Sequence, residues 1–256
     1  MMTRRSVQEL RDWCLSRDYK LDDDEVRMLA SDPRVSVQRL ASKVLRSREV
    51  RAVDEHMLTI ERSLWTSGYT RILGMDEVGR GSLAGPVCVG GVIFSFDGKV
   101  PSGIRDSKSL SPGSRAAQVP HIIAAAVTQR VVCRDSGFVD RYGIIAAIAD
   151  CQRQIITDLE PDYLLLDGFA LPVSSLPQQA MEKGDSKSAS IAAASILAKE
   201  HRDQIMRNLC PDYPEYCFSQ NKGYGSSAHI EAVRKFGPCA IHRMSFLQGV
   251  LGNDTE

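Results

Sequence analysis

Three acidic residues stand at the ends of two short, mostly apolar segments of the chain. Asp76 and Glu77 follow residues 71–75, and Asp167 follows residues 163–166. Both segments have the composition and length of buried strands. Functional sites in α/β proteins gather at the carboxyl ends of strands, so the three carboxylates converge if these strands are parallel neighbours.

Such a group of acids could bind divalent metal ions, and Asp185, just before a long alanine-rich segment, could complete it. Carboxylates held close together raise one another's pKa unless a cation neutralises them. Oxygen ligands favour Mg²⁺ or Mn²⁺ over zinc. Two such ions about 4 Å apart would activate a water molecule and stabilise the leaving oxygen in phosphodiester cleavage.

The same spacing fits two other interpretations. Acids that follow strands often cap helices or begin turns, and a pair of carboxylates can hydrolyse glycosides. The chain also has other acids that could take part, namely Asp106, Asp140, Asp150 and Asp203. From the residues alone, the metal-ion, structural and glycosidase interpretations all stay open.

Length and composition limit the class of protein. The 256 residues suit one large domain, or one domain with a small appendage. With 43% hydrophobic and 25% charged residues, the composition excludes a chain that is disordered throughout. The formal net charge is zero, so nucleic-acid binding has to be argued from local sites.

The expected location follows from what the chain lacks. No apolar run approaches the ~20 residues that span a bilayer, and the N-terminal residues contain no apolar signal region. The seven cysteines are scattered and form no CxxC pair, which favours reduced thiols over a disulfide framework or a zinc site. We therefore expect a cytoplasmic protein with no membrane association.

Residues 1–70 differ from the rest of the chain. They are rich in charges of both signs, contain almost no glycine, and are predicted to be helical. Arg39, Lys43 and Arg46 fall at i, i+4 and i+7, which places them on one face of a helix. This basic face is either a solvated surface or part of an arm that contacts a polyanion. The apolar face of the same helix would consist of Val37, Leu40, Ala41 and Val44.

From Tyr69 onward the pattern is typical of an α/β domain. Residues 71–75 and 87–94, joined by a glycine-rich turn, predict an antiparallel hairpin. Ser111 and Pro112 would begin a helix that runs to about residue 126. The remaining elements are predicted as strands at 129–133 and 163–166 and helices at 143–159, 190–209 and 228–236. This alternation predicts a mixed sheet with helices on its faces.

Five blocks, in the correct order across residues 71–247, resemble those of the bacterial type 2 ribonucleases H, the ribonuclease HII family. They are DEVGRGSLAGPV at 76–87, DSKSL at 106–110, LLLDG at 164–168, KGD at 183–185 with SIAAASILAK at 190–199, and NKGYG at 221–225 with His229 and His242-Arg243. The resemblance covers about 70% of the chain. It implies a ribonuclease H fold, with a five-stranded mixed sheet flanked by helices and a small helical N-terminal extension.

The resemblance also implies an activity. Members cleave the RNA strand of RNA–DNA hybrids and nick duplex DNA 5′ to a single embedded ribonucleotide, leaving a 3′-hydroxyl and a 5′-phosphate. The acids carried over as catalytic and metal-binding are Asp76, Glu77, Asp167 and Asp185, which would hold Mg²⁺ or Mn²⁺, two ions per site. Asp185 is preferred to Asp203 because the family's fourth acid lies in the KGD block, whereas Arg202-Asp203 resembles an ion pair at a helix end.

Substrate-binding residues are implied in the same way. Gly79, Arg80 and Gly81 match the loop that reads the ribose 2′-hydroxyl, the group that distinguishes RNA from DNA. Tyr224 matches the tyrosine that stacks on the sugar after the ribonucleotide.

Two lysines, Lys108 and Lys199, are expected to contact phosphates. The chain departs from the family at Ser82, where members usually have proline, and at Glu200-His201. The remaining candidate ligands are expected to be structural, because hard-cation sites do not need imidazoles; they are His201, His229 and His242.

The expected division is a helical extension over residues 1–70, resembling that of some Gram-positive members, and a catalytic domain over residues 71–256. The expected partners are RNA–DNA hybrids and ribonucleotide-containing duplex DNA, bound by a monomer that needs no protein partner. The nearest alternative is the sister family ribonuclease HIII, which Arg80 and Tyr224 disfavour. A non-catalytic nucleic-acid-binding module of the same fold is the alternative from another class.

Overall fold

The structure is a computed structural model, and it describes residues 5–96, 100–104, 110–171 and 174–251. The chain divides into two compact units, Met1–Met57 and Leu58–Glu256. The expected boundary was residue 70, so residues 58–70 fall in the second unit.

From residue 5 onward, the first unit contains three helices: α1 (Val7–Ser16), α2 (Asp23–Ala30) and α3 (Val35–Met57). Capping boxes begin two of them, because Ser6 pairs reciprocally with Glu9, and Asp22 with Glu25. The helical prediction for this segment is confirmed. The predicted apolar face of α3 is buried in a small core with residues of the other two helices: Val37, Leu40, Ala41, Val44, Leu10 and Leu29.

The second unit contains a sheet and eight α-helices among its described residues. The elements are α4 (Thr59–Thr66), β1 (Ile72–Val78), β2 (Val87–Phe94), α5 (Pro112–Ala125), β3 (Ala126–Arg134), α6 (Ser136–Tyr142), α7 (Ile144–Leu159), β4 (Tyr163–Asp167), β5 (Gln178–Met181), α8 (Ala189–Leu209), α9 (Phe218–Asn221), α10 (Ser227–Phe236) and α11 (Met244–Leu251).

The five strands form one mixed sheet in the order β3-β2-β1-β4-β5. β1 is antiparallel to β2, with Gly74 opposite Val92, and parallel to β4, with Met75 opposite Leu166. The predicted hairpin and the five-stranded mixed sheet are therefore confirmed, and β1 and β4 are the parallel neighbours that the convergence of the acids requires. β4 lies inside the sheet, which explains why Leu164, Leu165 and Leu166 are all buried.

Helix α8 packs on one face of the sheet at very short range. A Cβ at Gly74 would collide with the backbone of Ser190, and a Cβ at Gly90 would collide with the carbonyl of Ala194. The two glycines leave room for the backbone of α8. On the helix, the alanines at 192–194 have small side chains that allow this close approach. Helix α7 covers the opposite face through Ile155 and Leu159.

The sequence predicted some features incompletely. β1 extends through Asp76 and Glu77 rather than ending before them, and Asp167 is the last residue of β4. The expectation that all cysteines are reduced is wrong for one pair, because Cys88 and Cys133 face each other across β2 and β3 and form a disulfide. The other five cysteines are free.

Candidate active site

The two central parallel strands bring the predicted acids together. Asp76 and Glu77 occupy the carboxyl-terminal part of β1, and Asp167 ends β4, one residue beyond the Met75–Leu166 pair. Successive side chains on a strand point to opposite faces, so Asp76 and Glu77 approach this edge of the sheet from different sides.

Asp185 reaches the same place from the segment before α8. It lies in a single 3₁₀ turn, Gly184–Ser186, and is buried. The backbone N–H of Gly184 donates a hydrogen bond of 2.7 Å to Oδ1 of Asp167, which ties this turn to the end of β4. We call Asp76, Glu77, Asp167 and Asp185 the acid cluster.

The carboxylates of the acid cluster lie close enough to change one another's pKa. The pKa of Asp76 is raised to about 7, mainly because burial disfavours the charged form. A hydrogen bond from Ser195 of α8 opposes this rise, and the charges of Asp167, Glu77 and Asp185 add to it. Burial also raises the pKa of Glu77. Bringing these charges together costs free energy that a cation would remove.

The donor set fits a hard cation, because it consists of four carboxylates. Among the described ranges, no group of three carboxylate, imidazole or thiol side chains already lies at metal-binding distances. The negative charges of the carboxylates repel one another. The guanidinium of Arg80 lies close to Glu77, with Nη1 3.5 Å from Oε1. The four carboxylates are therefore suitable ligands for Mg²⁺ or Mn²⁺, although their oxygens do not already lie at metal-binding distances.

The loop at residues 79–81 follows the acid cluster directly. Gly79 has φ +84°, and a Cβ there would collide with the side chain of Arg202. Gly81 has no atom within 4 Å of the position a Cβ would take, so its backbone faces open space. The loop can therefore present backbone groups to a ligand beside the acids.

A buried arginine holds this loop from behind. Arg202 of α8 is fully buried, and its Nε donates to the carbonyl of Pro86 at 2.7 Å. Its other nitrogens donate to the carbonyls of Ala84 and Lys222 and to Oγ of Ser82. The prediction of a helix-end ion pair for Arg202-Asp203 is wrong, because Arg202 turns inward to these backbone carbonyls.

Tyr224 lies beside the loop anchor. The residue is 36% exposed, and two cations lie against its ring, with Cζ of Arg202 5.2 Å and Nζ of Lys199 5.5 Å from the ring centroid. Lys199 also forms an ion pair of 2.8 Å with Asp203. The structure therefore brings Tyr224 and Lys199 together. Lys108, and with it Asp106, lies outside the described residues.

Comparison with known proteins settles the family. Residues 73–248 match the family model described as Ribonuclease HII. The chain belongs to the ribonuclease HII family. It is 42% identical over 201 residues to a ribonuclease HII of Caldicellulosiruptor saccharolyticus, covering 78% of this chain and 98% of that protein. It is 39% identical over 256 residues to that of Clostridioides difficile, covering 98% of this chain and 100% of the other.

A solved structure agrees with the fold. The chain aligns with the structure of a PCNA:RNase HII complex from Archaeoglobus fulgidus with a TM-score of 0.58 and 25% identity, covering 68% of this chain and 94% of the other. As a member of this family, the chain is a hydrolase with ribonuclease H endonuclease activity on RNA–DNA hybrids, and the family depends on divalent metal ions. These findings argue against the glycosidase and non-catalytic interpretations.

Within the part of the chain that the structure describes, no helix is both long and apolar enough to cross a bilayer. The other acidic candidates have structural partners. Asp140 accepts hydrogen bonds from the N–H groups of Met244 and Ser245 at the start of α11, and Asp150 pairs with Arg134.

Sequence reasoning missed two residues that support the site. Glu61 of α4 is buried and accepts hydrogen bonds from the hydroxyls of Ser188 and Ser190 at the start of α8. Arg243 donates to the carbonyl of Arg80 in the 79–81 loop. A charged residue within a short apolar pattern was the available signal for Glu61, whereas the partners of Arg243 depend on tertiary structure.

Proposed function

We propose that the chain nicks duplex DNA on the 5′ side of a single embedded ribonucleotide, in addition to cleaving RNA–DNA hybrids. The products would carry a 3′-hydroxyl and a 5′-phosphate. One observation carries this proposal: Arg202 contacts Tyr224 and also binds Ser82, whose hydroxyl donates to the carbonyl of Gly79. A group that can read a ribose and a group that can stack on the next sugar therefore share one support.

The acid cluster would hold the metal ions. A bound divalent cation supplies a water molecule of lowered pKa and stabilises negative charge on a leaving oxygen. The protein's part is to hold the carboxylates in place. The N–H of Gly184 orients Asp167, and Ser195 hydrogen bonds to Asp76. No side chain has to act as a general base in this arrangement.

The 79–81 loop would recognise the ribose. A 2′-hydroxyl both donates and accepts a hydrogen bond, so backbone N–H and C=O groups can distinguish it from the hydrogen of a deoxyribose. The open space at Gly81 supports this role, and so does the anchoring of the loop by Arg202 and Arg243. Arg80, whose side chain is about half exposed, would contact a phosphate.

Tyr224 would detect the step from RNA to DNA. The guanidinium of Arg202 supports its ring, and Tyr224 is 36% exposed, so part of the residue is open to stack on a sugar. Lys199 would place its charge near the backbone of the same strand, although it shares that charge with Asp203.

The N-terminal unit would add affinity for the substrate. Arg39, Lys43 and Arg46 are all exposed on α3, and Lys43 lies 4.7 Å from the ring centroid of Tyr19. Other basic residues of the unit are engaged by acids, as in the Arg34–Asp32 and Arg48–Asp23 ion pairs. We retain the division into an arm over residues 1–70 and a catalytic domain over residues 71–256 as part of this proposal.

A labelled DNA duplex that contains one ribonucleotide tests the proposal. The purified chain is incubated with it in Mg²⁺ or Mn²⁺, with and without a chelator. A single nick 5′ to the ribonucleotide that disappears on chelation is the expected result. Cleavage of a continuous RNA–DNA hybrid without this nick would contradict the proposal and the roles given to Arg80 and Tyr224.

A further inference from the structure

Two histidines meet in the interior of the second unit, behind Tyr224. His229 of α10 and His242 are 0% and 3% exposed, and their Nε2 atoms lie 3.1 Å apart. A hydrogen bond between two imidazole nitrogens requires that one carries a proton and the other does not. The pair therefore has a direction, which its other partners determine.

The partners assign that direction. The backbone N–H of Cys239 donates to Nδ1 of His242 at 2.9 Å, so this nitrogen is an acceptor. The proton of the neutral His242 ring is then on Nε2, which donates to His229. The proton of His229 is consequently on Nδ1, which donates to the carbonyl oxygen of Tyr224 at 2.8 Å. A chain of three hydrogen bonds runs from Cys239 to Tyr224.

The surroundings keep both rings neutral. The rings of Tyr216 and Phe218 contact them, with centroid distances of 4.9 Å from Tyr216 to His242 and 5.4 Å from Phe218 to His229. Burial lowers the pKa of both imidazoles, that of His242 to about 4. The thiol of Cys239 and the phenol of Tyr216 are the other titratable groups that face the pair.

The chain of hydrogen bonds reaches the candidate site at the carbonyl oxygen of Tyr224. Tyr224 stands between Gly223 and Gly225, and glycines restrict the backbone less than any other residue. Two donors hold its carbonyl oxygen, Nδ1 of His229 and the N–H of Ser226. The hydrogen bond from His229 connects the exposed segment around Tyr224 to the buried core.

We infer that His229 and His242 are positioning residues for Tyr224: their hydrogen-bond chain fixes its backbone and so sets where its ring meets the nucleic acid. The inference rests on the proposed function of Tyr224. It predicts that weakening the chain harms cleavage at an RNA–DNA junction more than cleavage within a continuous hybrid, where no junction has to be detected.

Two substitutions of His229 form a matched pair. In His229→Asn the amide nitrogen takes the place of Nδ1 and can still donate to Tyr224. In His229→Gln the amide lies near the place of Nε2 and loses that bond. Loss of one buried hydrogen bond corresponds to roughly tenfold in an equilibrium.

The measurement is the ratio of kcat/KM for a duplex with one ribonucleotide to kcat/KM for a continuous hybrid. We expect His229→Gln to lower the ratio by about tenfold and His229→Asn to keep it within about twofold of the unsubstituted protein. Equal ratios in the two variants would overturn the inference. A purely structural effect would lower both rates together and leave the ratio unchanged, which would also overturn it.

Two further variants complete the experiment. Tyr224→Ala tests the proposed function itself: a normal ratio there would overturn both that function and the inference, whereas a low ratio with a normal His229→Gln ratio would overturn the inference alone. If His229→Gln does not fold, as judged by thermal unfolding, His242→Gln and His242→Leu replace the pair. The glutamine can keep the donor to His229 and should preserve the ratio, and the leucine should lower it.

Discussion

The guanidinium of Arg202 lies 5.2 Å beneath the ring of Tyr224 while its Nε donates a 2.7 Å hydrogen bond to the carbonyl of Pro86. One fully buried side chain thus supports both the exposed aromatic ring and the segment that follows the 79–81 loop. The planar, forked shape of arginine is what allows this, because lysine could not reach these acceptors together.

Arg202→Lys should therefore destabilise the protein although it keeps the charge. At least two of the four hydrogen bonds would be lost, and buried carbonyls would stay unpaired, which costs about 2 kcal/mol or more. The measurement is the free energy of unfolding in urea. Arg207→Lys, on the exposed side of α8, is the matched control and should change this free energy by less than about 0.5 kcal/mol. Similar losses in the two variants would contradict the anchoring role.

Asp76→Asn should abolish cleavage without unfolding the chain. A metal ion contributes several kcal/mol of charge stabilisation to the transition state, so losing a central ligand lowers the rate by about 10³-fold or more. Substrate affinity, measured by filter binding, should be retained. The control is Asp150→Asn, which removes an acid that pairs with Arg134 instead. Turnover near that of the unsubstituted protein in Asp76→Asn would refute the assignment.

His242 should make stability depend on pH. Its pKa is lowered from 6.5 to about 4 in the folded chain, so the folded state resists protonation that the unfolded state accepts. The stabilisation is complete above pH 6.5 and is lost as the pH falls towards 4, by up to about 3 kcal/mol. Urea unfolding at several pH values measures this, and His242→Asn, which does not titrate, should lose less stability over the same range. Parallel curves for the two proteins would contradict the prediction.

Glu61 should be important for stability through the start of α8. Its Oε1 accepts hydrogen bonds from both hydroxyls of Ser188 and Ser190 and from the N–H of Ser190. Glu61→Ala leaves these donors unpaired and should lower the free energy of unfolding by about 3 kcal/mol. Glu61→Gln keeps an acceptor and should lose less. If both variants lose the same amount in urea unfolding, the hydrogen bonds are not what Glu61 contributes.

Deleting residues 1–57 should weaken binding to an RNA–DNA hybrid and reduce its dependence on salt. Each lost phosphate contact lowers the slope of log affinity against log salt by about 0.9, so three contacts give a change of nearly 3. Replacement of Arg39, Lys43 and Arg46 by alanine in the full chain should produce most of the same change. Unchanged affinity and slope after the deletion would show that the N-terminal unit does not bind the substrate.

Much of the sheet could be predicted from sequence because its signals are local. The apolar segments and the glycine turn between them identify the β1–β2 hairpin, and the short run before Asp167 identifies a buried strand. β5 was not predicted, because its four residues, Gln178–Met181, have no clear alternation and become a strand only by pairing with β4. Helix α6 was missed because it is short and contains Gly137.

The convergence of the four acids was predictable, whereas most of the contacts around them were not. The local sequence predicts an ion pair between Arg202 and its neighbour Asp203. The carbonyls that Arg202 binds instead lie more than 100 residues earlier in the chain or 20 residues later, so the local sequence does not reveal them. The Cys88–Cys133 pairing depends on the register between β2 and β3, which scattered cysteines do not reveal. A side chain that binds backbone carbonyls cannot be matched to a partner from sequence, because every residue has a backbone carbonyl.

The contact of α8 with Gly74 and Gly90 has a consequence for the size of the active site. Asp76 belongs to the sheet, while Asp185 and Ser195 belong to the segment and helix that rest on it, so the thickness of this contact sets the width of the acid cluster. At Gly74 and Gly90, only a hydrogen atom of the glycine separates the sheet from the backbone of the helix. Even a methyl group at either glycine would push the helix outward and widen the acid cluster, where we propose that the metal ions bind, without contacting any of its carboxylates.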